Sequence, residues 1–232
     1  MAQKKTKKRI PALPRPTRAL AHQRAMAICP RLEEVYPAAE SALHFHNPFE
    51  LLIAVILSAQ TTDVAVNKVT PKLFAKWPTA EALAQADREE LEEILRTIGF
   101  YRSKAQAITT TAQMLVGEFG GMVPDTMEEL ITLRGVGRKT ANIVLNECFG
   151  KVEGIAVDTH VFRLAHRFGI SPASSKTPEA VERDLLKAIP EQMWGPVNHT
   201  WVLFGRDWCT AKRPRCTECP IRDICPSSDR YI

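Results

Sequence analysis

Apolar residues recur at helical intervals along this chain. Leu91, Ile94, Leu95 and Ile98 fall three or four positions apart, as do Ile108, Ala112 and Leu115, and no segment alternates apolar with polar over the length of a strand. The apolar stretches follow start signals, an oxygen side chain with Glu or Gln three residues later. In that pairing each side chain can satisfy an unpaired N–H at the other's position. Asn47 with Glu50 predicts one helix, with Pro48 at its first position. Asp87 with Glu90 predicts a second that stops at Gly99, Ser103 with Gln106 a third that runs to Gly120-Gly121, and Asp125 with Glu128 a fourth. Thr177 with Pro178 predicts another. The expected fold class is all-α with short loops, and no repeat with a period of roughly 20–50 residues is evident.

At 232 residues the chain is long enough for one large domain or two small ones. Its longest apolar run, residues 51–57, is far short of the ~18 residues of a membrane span. No apolar core with a cleavage signal opens the chain, so neither a membrane location nor secretion is expected. The formal charge of +5 conceals an asymmetry. Eight of the 31 basic residues and no acid lie in residues 1–24, which leaves 23 basic against 26 acidic residues in the remainder, a net −3. The basicity is that of a tail, interrupted by Pro11, Pro14 and Pro16, and residues 1–24 are expected to be disordered. A solubilising leader, an electrostatic tether to phosphates and an organelle-targeting peptide all remain open for it. Any nucleic-acid binding by the body must rely on local patches and backbone dipoles.

Six cysteines are present, and four of them, Cys209, Cys216, Cys219 and Cys225, fall within 17 residues with six, two and five residues between them. That clustering suits a metal site in a reducing compartment better than a disulfide framework. Four thiolates select zinc or an iron–sulfur cluster, and clustering alone leaves both open. The last 25 residues are too poor in apolar groups to form a core, and a metal centre would supply the missing organisation. Cys29 and Cys148 are expected to be small buried apolar residues, and Trp194, Trp201, Phe204 and Trp208 to pack around the cysteine segment.

Residues 127–149 predict a short helix, a tight turn at Gly135-Val136-Gly137 and a second helix from Arg138. The second helix then points unpaired N–H groups out of the turn, a site for an anion. Such a hairpin grips a DNA phosphate without reading sequence, with Arg138 adding charge. Lys139 lies in the first turn, where the helix dipole, the neighbouring Arg138 and partial burial would all lower its amine's pKa toward the range of a nucleophile. Against the ordinary reading, a solvated lysine, stands the electrophile that a gripped backbone would bring beside it, C1′ of a sugar. Asp158 precedes Thr159-His160-Val161 and is first a helix N-cap. A carboxylate held that way stays ionised and oriented, so a cap can also serve as a catalyst. His160 is expected to be a packed or hydrogen-bonding residue. A boundary is expected near Gly150-Lys151, followed by an extended piece over residues 152–157.

Together these segments resemble the endonuclease III family of DNA glycosylases, within the helix–hairpin–helix superfamily. The resemblance covers most of the body. It includes residues 48–55, the run Ser58-Ala59-Gln60-Thr61-Thr62-Asp63, and residues 97–104. The six, two, five cysteine spacing matches the family's [4Fe–4S] signature. The resemblance implies two helical domains flanking a DNA-binding cleft. One is a six-helix barrel over residues 41–151 carrying the helix–hairpin–helix. The other is a discontinuous iron–sulfur domain made of residues 25–40 and 152–232. It further implies Lys139 as nucleophile, Asp158 as catalytic carboxylate, and Cys209, Cys216, Cys219 and Cys225 as ligands of one [4Fe–4S] cluster. Gln60 would fill the gap left by an extruded base, and Phe100 stands where the family usually has a Leu wedge in the opposite strand. Gly135, Val136, Gly137 and Arg138 would hold the backbone. Arg213 and Arg215, with Lys212, form a basic loop between the first two cysteines and would meet further phosphates. Two departures concern the hairpin, where Arg134 replaces the usual Pro, and the substrate pocket, where Ile131 stands in place of an acid found in some members.

The implied activity is that of a bifunctional glycosylase and abasic-site lyase of base excision repair. It would remove oxidised pyrimidines and cleave 3′ to the site by β-elimination through a lysine Schiff base. Its partner is double-stranded DNA with damaged bases or abasic sites. A monomer in a bacterial cytoplasm, associated with the nucleoid, is expected. One alternative is a monofunctional adenine-mismatch glycosylase, whose relatives usually lack a lysine at the position of Lys139. Another is a non-catalytic DNA-binding iron–sulfur protein, which would leave Lys139 and Asp158 as coincidences. A radical or electron-transfer enzyme fits less well, because all four clustered cysteines are committed as ligands.

Overall fold

The computed structural model describes residues 12–231, and every regular element among them is a helix. Residues 1–11 of the predicted basic tail lie outside this range. No described helix is long and apolar enough to cross a membrane. Contacts divide the protein into two compact units. The first joins the chain up to Ala39 with the chain from Val157 onward, and the second is Glu40–Ala156. The chain therefore re-enters the first unit beyond the expected crossing at Gly150-Lys151.

The second unit contains seven helical segments against the six expected, two of them about one turn long. These are α2 (Pro48–Leu57), α3 (Asp63–Lys76), α4 (Ala80–Ala84), α5 (Arg88–Leu95), α6 (Tyr101–Phe119), α7 (Met127–Leu130) and α8 (Arg138–Phe149). The centre is α2, in which Leu51, Leu52, Ile53, Ala54 and Leu57 are all fully inaccessible. A helix apolar all round has no surface to offer water, so it is buried by its neighbours. Here those are α3, α6 and α8, while α4 and α5 cover α6 and α7 packs on α8.

The start signals set most helix openings. Asn47 accepts from Glu50 N at 2.9 Å, Asp87 from Glu90 N at 3.0 Å, and Thr177 from Ala180 N at 3.2 Å. Two predicted starts are displaced. The cap of α7 is Thr126 rather than Asp125, and it accepts from Glu129 N at 3.3 Å. Asp125 is held by Lys151 instead, with Nζ 2.6 Å from Oδ2. Helix α6 opens two residues before Ser103. Its N-cap is Phe100, which is in the left-handed region and makes no side-chain cap bond.

The first unit comprises α1 (Arg18–Val35), α9 (Thr159–Arg167), α10 (Pro178–Ala188) and α11 (Trp194–Asp207), followed by the cysteine segment. Helices α10 and α11 both pack on α1 and on α9. Ile28, Leu32, Leu164, Phe168, Leu185, Trp201 and Phe204 form the interior, with the Phe168 and Trp201 rings edge to face at 5.0 Å. The expected disorder of residues 1–24 is corrected at its end. Thr17 caps α1, Ala21 is buried, and the Arg24 guanidinium donates to Gly169 O at 2.8 Å. Burying that face outweighs the polar composition of the segment.

Candidate nucleic-acid interface and metal centre

Helix α7 and the turn after it lead into α8 through Gly135, whose φ is +81°. Side chains with a Cβ rarely adopt that conformation, so glycine is needed here by the backbone itself. The turn is anchored from inside by buried Leu133 and Val136 and by Thr111, whose hydroxyl donates to Arg134 O at 2.5 Å. Gly137 differs. Its φ of −105° suits any residue, and nothing lies within 4 Å of where its Cβ would be. Neither the backbone conformation nor the packing requires glycine at 137. Gly137 is the N-cap of α8 and offers no side-chain acceptor, whereas eight of the eleven α-helices among the described residues have one. The first turn of α8 therefore has no side-chain cap. Lys139 stands exposed in that first turn. The partial burial expected for it is not found.

Gln60 and Phe100 belong to the same unit. Gln60 follows α2 in the turn before α3, and Phe100 precedes α6. Both are exposed, Phe100 by 67%, an unusual fraction for a large aromatic. Ile131 is exposed as well.

In the other unit, Asp158 caps α9. Its Oδ1 accepts from His160 N and Val161 N, both at 2.8 Å. Both bonds end on the one oxygen, Oδ1. His160 lies beside it with Nδ1 3.2 Å from Arg163 Nη2, and Arg163 also donates to Gly205 O at 3.0 Å. Burial pushes the His160 pKa down, against the opposing pull of Asp158.

Helix α9 also reaches the cysteine segment. Arg167, almost fully buried, donates to Cys209 Sγ and Cys209 O at 3.2 Å, to Thr210 O at 2.8 Å and to Ala211 O at 3.0 Å. Its guanidinium stacks on Tyr231 at 4.5 Å, and its own carbonyl accepts from Ser227 Oγ at 2.6 Å. Sequence reasoning missed Arg167 because its acceptors are backbone carbonyls supplied by the tertiary fold. Within the basic loop Arg213 and Lys212 are exposed, while Arg215 stacks on Trp208 at 4.5 Å and pairs with Glu218 at 2.8 Å.

Cys209, Cys216, Cys219 and Cys225 line one cavity, walled by Phe168, Phe204 and Trp208. Among the described residues no three His, Cys, Asp or Glu side chains converge as ligands of a single ion do. Four thiols lining one cavity form an all-sulfur donor set that fits an iron–sulfur cluster. Burial pushes the thiols of Cys216, Cys219 and Cys225 up, Cys225 to about 11. Of the remaining cysteines, Cys29 is buried as expected, while Cys148 is half-buried.

Residues 53–191 match the HhH-GPD superfamily of base excision DNA repair proteins, and residues 209–225 match the iron-sulfur binding domain of endonuclease III. The chain is 48% identical over 206 residues to endonuclease III of Synechocystis, covering 89% of this chain and 93% of that protein. The chain belongs to the endonuclease III family. It is 44% identical over 205 residues to endonuclease III of Escherichia coli K12, covering 88% and 96% of the two chains. A solved structure of a non-covalent endonuclease III–DNA complex superposes with a TM-score of 0.85 at 41% identity, covering 93% of this chain and 98% of that one. As an endonuclease III family member the protein is a DNA glycosylase of base excision repair, binds DNA and carries a single [4Fe–4S] cluster.

Proposed function

We propose that this glycosylase is also an abasic-site lyase, that its substrates are oxidised pyrimidines in double-stranded DNA, and that Lys139 and Asp158 carry the chemistry. The observation that carries the reading is Lys139 itself, an exposed amine in the first turn of a helix whose N-cap, Gly137, has no side chain. A phosphate seated at that N-terminus, against the open backbone at Gly137, brings a deoxyribose within reach of the amine. The damaged nucleotide leaves the stack at a cost that is smaller for a lesion that stacks poorly. The Lys139 amine then attacks C1′, the C1′–N bond breaks, and the base departs with a proton delivered to it. Asp158, oriented by its two N–H donors, serves as the carboxylate that accepts a proton and stabilises positive charge developing on the sugar. The sugar ring then opens, the C1′–O4′ bond breaking with a proton going to O4′, and the resulting iminium acidifies the C2′ proton. Its removal expels the 3′ phosphate, and hydrolysis of the imine frees the lysine.

Gln60 fills the gap in the helix and Phe100 stacks against the opposite strand. The cluster, held by the four cysteines, supplies a rigid fold to a segment without a core of its own and presents Lys212 and Arg213 to phosphates. Borohydride reduction in the presence of thymine-glycol DNA should trap a covalent protein–DNA adduct. Absence of adduct with the unaltered protein, or an undiminished adduct with Lys139→Ala, would refute the assignment.

A further inference from the structure

Only two residues other than glycine have positive φ among the described residues, Gln60 at 54° and Phe100 at 58°. Each pays a conformational cost, because Cβ crowds the backbone in the left-handed region. Such residues persist only where their surroundings over-determine them. Both are exposed, so their own side chains do not provide that constraint. The two turns are 40 positions apart in the chain and belong to one unit.

A single residue ties them together. Lys104, in the first turn of α6, donates its backbone N–H to Phe100 O at 3.0 Å, which closes the turn that begins the helix. Its Nζ donates to the hydroxyl of Thr61, the residue directly after Gln60. Lysine is almost never buried unless it is paired with an opposite charge. Lys104 is 6% exposed, and the partner shown for its ammonium is a neutral hydroxyl. Desolvation pulls its pKa down, as expected for a charge buried without a carboxylate. A Met or Leu would fill the same space without that penalty, so the residue is serving something other than core stability.

We propose that Lys104 is a positioning residue that clamps the Gln60 turn to the Phe100 turn, so that both side chains meet duplex DNA as one preset wedge. This rests on the roles given above to Gln60 and Phe100. With the clamp in place, the strain of both turns is met by the folded protein before DNA arrives. Without it each turn relaxes separately, and the encounter with DNA must restore both at the expense of base extrusion. Chemistry on a sugar whose base is already gone does not need the wedge.

The test uses Thr61→Val, which removes the acceptor hydroxyl and keeps the shape, together with Lys104→Met and Lys104→Arg in the full chain. Excision of thymine glycol paired with adenine should fall about tenfold in Thr61→Val and Lys104→Met. A 2-aminopurine placed opposite the lesion should lose most of its fluorescence rise on binding. Borohydride trapping at a preformed abasic site facing a gap should stay within about twofold of the unaltered protein. Lys104→Arg should recover part of the loss, and Thr61→Val should add nothing to Gln60→Ala. If Lys104→Met does not fold, Thr61→Val decides alone. Equal losses on the paired and gapped substrates, or full additivity with Gln60→Ala, would overturn the clamp. No trapping by the unaltered protein on the gapped substrate would instead overturn the functional reading on which it rests.

Discussion

Asp158 has two duties in this structure, and one substitution separates them. As the N-cap of α9 it accepts two N–H bonds at 2.8 Å through Oδ1. Asn ranks with Asp as an N-cap and can accept the same bonds, so Asp158→Asn removes charge and leaves geometry. The stability loss is then only the charge–dipole contribution, about 0.3–1 kcal/mol, since the residue is half-buried at a helix N-terminus. Asp158→Ala loses the cap as well, about 1 kcal/mol more. In a protein of this size 1 kcal/mol moves the melting temperature by about 2–4 °C. Asn should therefore melt within about 3 °C of the unaltered protein, and Ala a few degrees lower. Activity should divide differently. Positioned acid–base groups contribute about 10²–10⁴-fold, so both variants should lose at least about 100-fold in thymine-glycol excision. Single-turnover excision and thermal melts on the same preparations measure the two effects side by side. Excision by Asp158→Asn within tenfold of the unaltered rate would refute the catalytic role. So would losses of activity that merely track the melting temperatures.

The two hairpin glycines should behave oppositely. Gly135→Ala meets φ +81° and the Ile56 side chain at 3.4 Å, so it should destabilise by about 1–2 kcal/mol, read by denaturant titration. Gly137→Ala should leave stability unchanged and weaken DNA binding at least tenfold, read by fluorescence anisotropy. Arg167→Met strips the donor from three carbonyls and from Cys209 Sγ, at about 1–3 kcal/mol for each buried group left unsatisfied. Its cluster should bleach several-fold faster under chelator, followed by visible absorbance. Charge reversal at Arg213 should weaken DNA binding and flatten its salt dependence by about one phosphate contact. At Arg215 the effect should be smaller, because that guanidinium is already engaged by Glu218 and Trp208.

Helix starts were legible wherever one cap signal stood alone, as at Asn47, Asp87 and Thr177. At residues 125–129 two overlapping signals competed, and the Lys151 ion pair drew Asp125 away from the helix. At α6 the signal at Ser103 was overridden by a backbone turn at Phe100, which no local propensity favours because an aromatic residue resists positive φ. The candidate site residues stood out through their surroundings in the chain: glycines beside a lysine, an aspartate opening a helix, four cysteines closely spaced. Lys104 and Arg167 were not. Each is a cation in a helical stretch, and its burial depends on a hydroxyl or carbonyls 42 to 60 positions distant. The division of the chain was legible only coarsely, since nothing in the composition marks Ala156 as the last residue of its unit.

Helix α1 packs on α10 and α11, yet the whole of Glu40–Ala156 is synthesised between them. At about 5–20 residues per second, α1 emerges from the ribosome many seconds before its partners exist. An 18-residue helix with a mixed surface is marginal when isolated in water, so α1 waits largely unfolded. The inserted unit, continuous in the chain, has all of its own partners by then and can close first. Maturation thus has a built-in order: the lysine-bearing unit forms during translation, α1 docks next, and iron is loaded last, once residue 225 is free of the exit tunnel.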